Sequence, residues 1–369
     1  MSAISTELKT IVKPQDSPGA FIVWLCQRFP YLQEAEWLAH IESGKVLLNG
    51  DKADPQIQIK VDDEVVYFLK NHDEGDFPQS FEVIWENEHF LVVSKPADLP
   101  IHKSGRIFWN TLVNLVRRTY GLEEIYPLHR LDRETSGLVM MAKHANLRRQ
   151  FKFPLNRILG EKIYLAWVWG DWIKIYGSDI TQIYDRLLER PESKIRIKMH
   201  CIDKDDLLYE KAKVAHSEIL PIWVNKDHSQ TLVAVRIHTG RKHQIRAHLS
   251  GQGFPIIGDK IYSQNGDKYL KQSSGLALNE VDYTELGART QLLHAFKLKV
   301  NLPPTSHDGG LIKVRIPDLK QQIFYSHFWT DEFETKIKTL PMLSNNQAMF
   351  NTEFMLKWLE SQINFKDVQ

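Results

Sequence analysis

Residues 129–142 constrain this chain more than any other stretch. His129-Arg130-Leu131-Asp132-Arg133-Glu134-Thr135-Ser136-Gly137 is dense in charge and leads at once into the apolar run Leu138 to Ala142. A short apolar run bounded by a glycine reads as a buried strand, and Gly137 permits a sharp backbone turn at its entrance. A loop whose continuation is anchored in a core is held rigidly, which is how folds present a catalytic group. Asp132 stands among His129, Arg130 and Arg133, and the two arginines favour its ionised form. Taken alone, the same alternation of charge also describes a solvated, salt-bridged surface turn.

A second motif lies far along the chain. Thr231 to Ile237 alternates and is rich in β-branched residues, which predicts a strand. Thr239-Gly240 is a turn signal, and Arg241 to Ser250 fits one short helix closed by Gly251. A helix that opens on Arg241, Lys242 and His243 adds its free first-turn N–H groups to cationic side chains, so an anion site is expected. A metal site is not. His243 and His248 are five apart and diverge on a helix, the segment lacks a carboxylate or thiol, and Arg241, Lys242 and Arg246 repel a divalent cation.

These motifs together resemble the pseudouridine synthases of the RluA family. The first matches that family's His-Arg-Leu-Asp loop, and Thr239 to His248 matches its Thr-Gly-Arg-x-His-Gln-x-Arg-x-His segment. In the expected order come Phe90 to His102, like the opening strand and Lys-Pro loop, and Lys162 to Gly170, like the tyrosine strand. Pro255 to Asp259 and Leu293-His294-Ala295 fit as well, so the likeness runs from about Phe81 to Ile316.

The resemblance implies isomerisation of uridine to pseudouridine in RNA, without a cofactor and without a metal. It assigns Asp132 as the essential carboxylate, acting as nucleophile at C1′ or as base at the ribose, and either role needs it ionised. Arg246 takes the place of the arginine that pairs with the aspartate. Tyr164 takes that of the tyrosine that stacks on the uracil and takes up the C5 proton. Duplex RNA hides the uridine, so the base must be flipped out. His129, Arg130 and Arg133 are expected to contact RNA, with an arginine beside Asp132 filling the vacated stack or holding phosphate, Arg241 and His243 to contact phosphate, and Leu293 to wall the uridine pocket. Without the resemblance, Tyr164 in its strand-like run and Leu293 would both read as ordinary core.

Net charge is only +1, which is low for an RNA binder, but the charge is uneven. From Lys95 to Gly170 there are 13 Lys and Arg against 6 Asp and Glu, whereas Met1 to Lys70 has 7 against 10. Positive charge therefore gathers around the candidate catalytic motifs, as an RNA-binding face requires. The acidic N-terminal part resembles an S4-like domain through Trp37 to Gly50 and Asp62 to Tyr67. The helix expected at Phe21 to Phe29 carries only Arg28, so a reduced RNA role is expected for this part.

The expected organisation is an S4-like domain over 1–70, a linker over 71–80, a catalytic domain over 81–329 and a C-terminal extension over 330–369 with a helix at Met349 to Ile363. Hairpins outnumber strand–helix–strand units, which predicts α+β architecture: a mixed, mostly antiparallel sheet with flanking helices, plus the small S4-like α+β domain. No apolar run approaches a membrane span. The N-terminus has neither a basic region nor an apolar core, so no secretory signal is expected. Cys26 and Cys201 are far apart and suit a reducing cytoplasm.

Two rivals remain. A glycoside hydrolase needs two carboxylates flanking the bond; Asp132 and Glu134 are the only close pair at the motif, and the surrounding cations suit a polyanion better than a neutral sugar. A non-catalytic RNA-binding protein that keeps the fold need not keep Asp132, Tyr164 and Arg246 together. The partner is expected to be ribosomal or transfer RNA, with ribosomal RNA favoured because an S4-like part often accompanies that substrate in the family. A monomer is the default.

Overall fold

The computed structural model describes residues 6–14, 16, 19–29, 32–69, 74–105, 107–151, 159–190, 192–227, 229–302, 305–308, 311–314, 320–326, 331–338, 361 and 363. The chain divides into two compact units, Met1–Asp76 with His102–Asn110, and Phe77–Ile101 with Thr111–Gln369.

In the first unit, strands β1 (Thr6–Ile11), β2 (Val46–Leu48) and β3 (Glu64–Leu69) form an antiparallel sheet in the order β1-β3-β2. Helices Phe21–Arg28 and Glu34–Glu42 carry apolar residues one turn apart. That spacing puts Phe21, Trp24 and Leu25 on the same face, as it does Trp37 and Ile41, and all five are buried in one cluster with Val46 and Val65. The second helix starts with a capping box between Gln33 and Glu36, which satisfies two of its free N–H groups. The segment 102–110 is tied in by Glu74, whose carboxylate accepts from the backbone N–H groups of Phe108, Trp109 and Asn110 at 2.6, 2.9 and 2.8 Å.

The second unit is built on an 11-stranded sheet. Its strands in chain order are β4 (Glu82–Glu86), β5 (Phe90–Lys95), β6 (Tyr126–Pro127), β7 (Ser136–Ala142), β8 (Leu159–Trp169), β9 (Thr181–Glu189), β10 (Met199–Cys201), β11 (Lys213–Asn225), β12 (Gln230–Ile237) and β13 (Leu293–Leu302). After β14 (Thr305–Asp308) and β15 (Leu311–Val314), which pair only with each other, β16 (Lys320–Tyr325) returns to it. The main order is β10-β9-β11-β12-β8-β13-β7-β5-β4, with β16 beside β13 and β6 beside β7. Among the described residues every pair is antiparallel except β13 with β7. This is the mixed, mostly antiparallel sheet that the hairpin-rich pattern predicts.

The parallel contact explains Gly137. It pairs with Ala295 at φ +106°, and a Cβ there would lie 2.3 Å from the Ala295 carbonyl oxygen. Gly137 therefore does more than permit a turn, because it lets two backbones close on each other directly behind Asp132. Strands β5 and β7 are buried along their whole length, as their unbroken apolar runs require.

Two expectations about helices change. The helix of the second motif spans Gln244–Gly251 and does not begin at Arg241. Gln244 is the cause: its side-chain oxygen accepts from Thr239 Oγ1 (2.6 Å) and the Arg241 N–H (3.1 Å), holding Arg241 to His243 in a turn before the helix. The helix expected at Met349 to Ile363 falls outside the described residues apart from 361 and 363. Within the extension, helix Asp331–Lys338 buries Phe333 against Ile163, Leu165 and Trp167.

Candidate active site

Strand β8 and helix Gln244–Gly251 meet the loop before β7 around a cavity of about 550 Å³. Asp132, Tyr164, Arg246, His129, Arg130, Arg241, His243 and Leu293 all line it. Arg133 does not. Its Nε donates to Asp98 Oδ1 at 2.7 Å and its guanidinium lies 5.0 Å from the Phe77 ring centre.

The loop that carries Asp132 is fastened from both sides. The buried Lys95 ammonium donates to the carbonyls of Pro96, Leu99 and Arg133 at 2.8, 2.8 and 2.9 Å. Three acceptors match its three hydrogens, while burial pulls its pKa down to about 7. On the other side Glu134 accepts from Lys260 Nζ (2.7 Å) and the Gln291 N–H (3.1 Å), and Gln291 Nε2 donates to Thr135 Oγ1 (2.6 Å). Glu134 is thereby committed to structure, which removes the second carboxylate a glycoside hydrolase would need.

Asp132 is held by charge from outside its own loop. Arg246 Nη1 donates to Asp132 Oδ2 at 2.8 Å, and His243 Nε2 lies 3.7 Å from the same oxygen. Burial pushes the Asp132 carboxyl up, but Arg246, by its charge and its hydrogen bond, outweighs this and holds it below the usual carboxylate range. The expectation that Arg130 and Arg133 supply this stabilisation is corrected: Arg133 is paired with Asp98, and the charge arrives from Arg246 on helix Gln244–Gly251.

Arg246 is itself clamped. Its Nε and Nη2 donate to the two oxygens of Asp259 at 2.7 and 2.9 Å, a bidentate pair, and its guanidinium lies 5.0 Å from the Tyr262 ring centre. Burial opposes its charge, but Asp259 and Asp132 overcome this and raise its pKa further. Asp259, with no exposure, also accepts from the N–H groups of Ile261 (2.9 Å) and Tyr262 (3.0 Å). The turn that presents it needs Gly258 at φ +82°, where a Cβ would meet the Thr290 carbonyl oxygen at 2.0 Å.

Tyr164 sits on β8 opposite Val235 and Ala295, 7% exposed. Burial raises its pKa and Asp132 adds to the effect, so it stands as a neutral phenol. Two histidines of the cavity are neutral. His129 accepts the Met140 N–H at Nε2 (3.1 Å), and burial, helped by Lys162, takes its pKa down to about 3. His243, at φ 52°, places Nδ1 3.2 Å from the Tyr262 hydroxyl, and burial beside Arg246 takes its pKa down to about 4. Exposed cations at the cavity are Arg130, Arg241 and Lys242; Arg241 donates through Nε to the Val214 carbonyl at 2.8 Å, and Lys242 donates to Glu189 at 2.6 Å.

Residue-level reading gave no role to Lys95, Lys162, Asp259 or Tyr262. Lys95 and Asp259 lay in matched motifs, but their burial and partners are tertiary facts. One grouping with metal-ligand chemistry is present among the described residues: His216, Glu218 and His238, with ligand atoms within 4.8 Å of one another. The two imidazoles are stacked, 4.1 Å between centres and 10° between planes. An ion bound at about 2.0 Å must lie in the plane of each ring, and parallel rings offer no such point. Glu218 is also taken up by Arg236 Nε.

The family model for RNA pseudouridylate synthase matches residues 89–251. A relative described as an RNA pseudouridine synthase of Aquifex aeolicus is 30% identical over 267 residues, 68% of this chain and 78% of the relative. The mitochondrial tRNA pseudouridine(32) synthase of Saccharomyces cerevisiae is 29% identical over 225 residues, 61% of this chain and 46% of that protein. The chain spans about half the length of several relatives it matches, that one included. Among solved structures, human RNA pseudouridylate synthase domain containing 4 aligns over 69% of this chain and 91% of its own, with a TM-score of 0.49 and 22% identity.

Proposed function

The chain belongs to the RNA pseudouridylate synthase family, and we propose that it converts uridine in RNA to pseudouridine with Asp132 as the catalytic carboxylate. The observation that carries this reading is the relay Asp259–Arg246–Asp132. It keeps one carboxylate ionised and oriented in a cavity that also holds an aromatic hydroxyl. In the reaction the N1–C1′ bond breaks, the uracil turns, C5 bonds to C1′, the C5 proton leaves and N1 gains one. Asp132 serves as nucleophile at C1′ or as base at the ribose, and the ionised form suits both. Tyr164 as a neutral phenol is suited first to stacking on the uracil, and accepting the C5 proton would require it to lose its own. Leu293, 4% exposed, supplies an apolar wall for the base.

Arg130 and Arg241 are the proposed phosphate contacts, with Arg130 also placed to fill the stack that a flipped base leaves. His129 and His243 are proposed to orient the site as neutral hydrogen-bonding groups. The first unit is proposed to be an S4-like domain with little share in RNA binding, a reading supported by its acidic balance. Transfer RNA is the proposed substrate class, on the strength of the yeast relative's name. Among the described residues no helix is long and apolar enough to cross a membrane. A reducing, cytoplasmic location is proposed from the two free cysteines.

The test is tritium release from RNA labelled at uracil C5, with transfer and ribosomal RNA pools assayed apart. Native protein should release tritium from the transfer RNA pool, and Asp132→Asn should lower the rate by about a thousandfold or more. Release only from ribosomal RNA would overturn the substrate class. Release undiminished by Asp132→Asn would overturn the catalytic assignment.

A further inference from the structure

Three aromatic rings stand in a row across the open end of the main sheet. Tyr184 on β9 pairs with His216 on β11, and the His238 N–H donates to the His216 carbonyl at 3.1 Å. The rings stack along this cross-strand row: Tyr184 on His216 at 3.9 Å and 17°, His216 on His238 at 4.1 Å and 10°. Nearly parallel stacking at this spacing covers the inner ring faces and leaves the outer face of the end ring for another flat partner. A packed protein core more often sets rings edge to face or offset. The row does not run into a core. Tyr184 is 67% exposed, and β10 pairs with β9 only from Leu187 onward, so the outer face of Tyr184 is at an open edge.

The row lies on the rim of the candidate active site. Successive strand residues point to opposite faces. Ser217 bonds Gln244 and His248 of the helix Gln244–Gly251, so His216 faces the other way. His238 nevertheless lines the cavity that holds Asp132 and Tyr164. A strand of RNA with one nucleotide in that cavity can leave it over this lip. Cations mark the path. Arg241 is exposed and bonded to the Val214 carbonyl, two residues before His216. Arg186 pairs with Val214 from β9, two residues after Tyr184.

We infer that the Tyr184–His216–His238 stack is a binding subsite for an unpaired nucleobase flanking the nucleotide in the cavity. The base extends the stack on Tyr184, and Arg241 lies where its phosphates pass, while Arg186 is held by the Tyr209 and Ala212 carbonyls at 3.2 and 3.3 Å. Stacking on aromatic rings is tolerant of base identity because every base has a π face, so this subsite adds affinity for single-stranded RNA without reading sequence. The inference rests on RNA being the substrate.

The experiment measures binding of a short fluorescein-labelled oligouridylate to the full chain over a range of salt. Native protein is compared with Tyr184→Ala, Tyr184→Leu and Tyr184→Phe. Both ring-deleting variants should weaken binding about tenfold and leave the salt slope unchanged, while Tyr184→Phe binds like native protein. The leucine variant keeps apolar bulk without a ring face, so its loss of binding is not a packing defect. Native affinity in Tyr184→Ala, or equal weakening in Tyr184→Phe, overturns the subsite. Tritium release by the same preparations separates the two readings: release with unchanged binding by Tyr184→Ala sinks the subsite alone, while absence of release by native protein counts against the isomerase.

Discussion

Arg246 shows how a single buried side chain can set the state of another. Its guanidinium is 7% exposed and is shared between Asp259, which takes two hydrogen bonds, and Asp132, which takes one. Asp259 neutralises the arginine, and that makes it tolerable in the interior, while the remaining Nη1 is free to hold Asp132. The histidines around the site follow the opposite rule, since burial keeps them neutral. His129 falls to about 3, and His243 and His248 to about 4. A histidine whose folded pKa is depressed stabilises the fold fully above its unfolded value near 6.5 and loses that contribution as pH falls. The depressed carboxylates Asp132 and Asp259 act lower, holding their contribution until pH drops below the usual carboxylate range near 3.8. Stability to urea should therefore fall by on the order of a few kcal/mol between pH about 6.5 and about 4, above the range in which the contribution of Asp132 and Asp259 is lost. A urea midpoint that stays level across that interval would show that these imidazoles are not held neutral.

The site depends on where β7 begins. The loop before it is bonded to Lys95 on one side and to Lys260 and Gln291 on the other, and behind it the backbone of β7 closes on β13 at Gly137. Neither neighbour can retreat, because Ala295 is also paired to Tyr164 across β8. Gly137→Ala combines a positive φ with a Cβ 2.3 Å from a carbonyl oxygen, so the two strands must separate. It should cost about 3 kcal/mol or more in urea denaturation and cut tritium release, since Asp132 lies on the loop that enters β7 and Tyr164 on β8, which is paired to β13. A loss below about 0.5 kcal/mol would mean that β7 and β13 do not hold this register.

At the scale of the whole molecule, charge is divided between the parts. The chain is nearly neutral, yet Lys95 to Gly170 is strongly basic and Met1 to Lys70 is acidic. RNA affinity should weaken with salt, and the slope should come from exposed cations at the cavity. Arg130→Ala and Arg241→Ala should each reduce the slope by about one phosphate contact. Replacing Lys45 and Lys52 of the first unit together with alanine should leave both affinity and slope unchanged. A reduced slope in that double variant would show that the acidic unit engages RNA after all.

Sequence alone determined the strands β5, β7, β8 and β12, because unbroken or alternating apolar runs bounded by turn residues have few other solutions. The motifs around Asp132, Tyr164 and Arg246 were legible there too. The residues that hold those groups in place were not. Lys95 and Asp259 look like any other charged residues until the fold buries them, and the Arg246 link to Asp132 spans 114 positions. The protonation of His129 and His243, the capture of Arg133 by Asp98, and the turn that delays the helix to Gln244 all depend on atoms brought together from distant segments. Periodicity is a property of neighbours along the chain and survives in one dimension. Desolvation and charge pairing are properties of neighbours in space, and only the tertiary structure decides them.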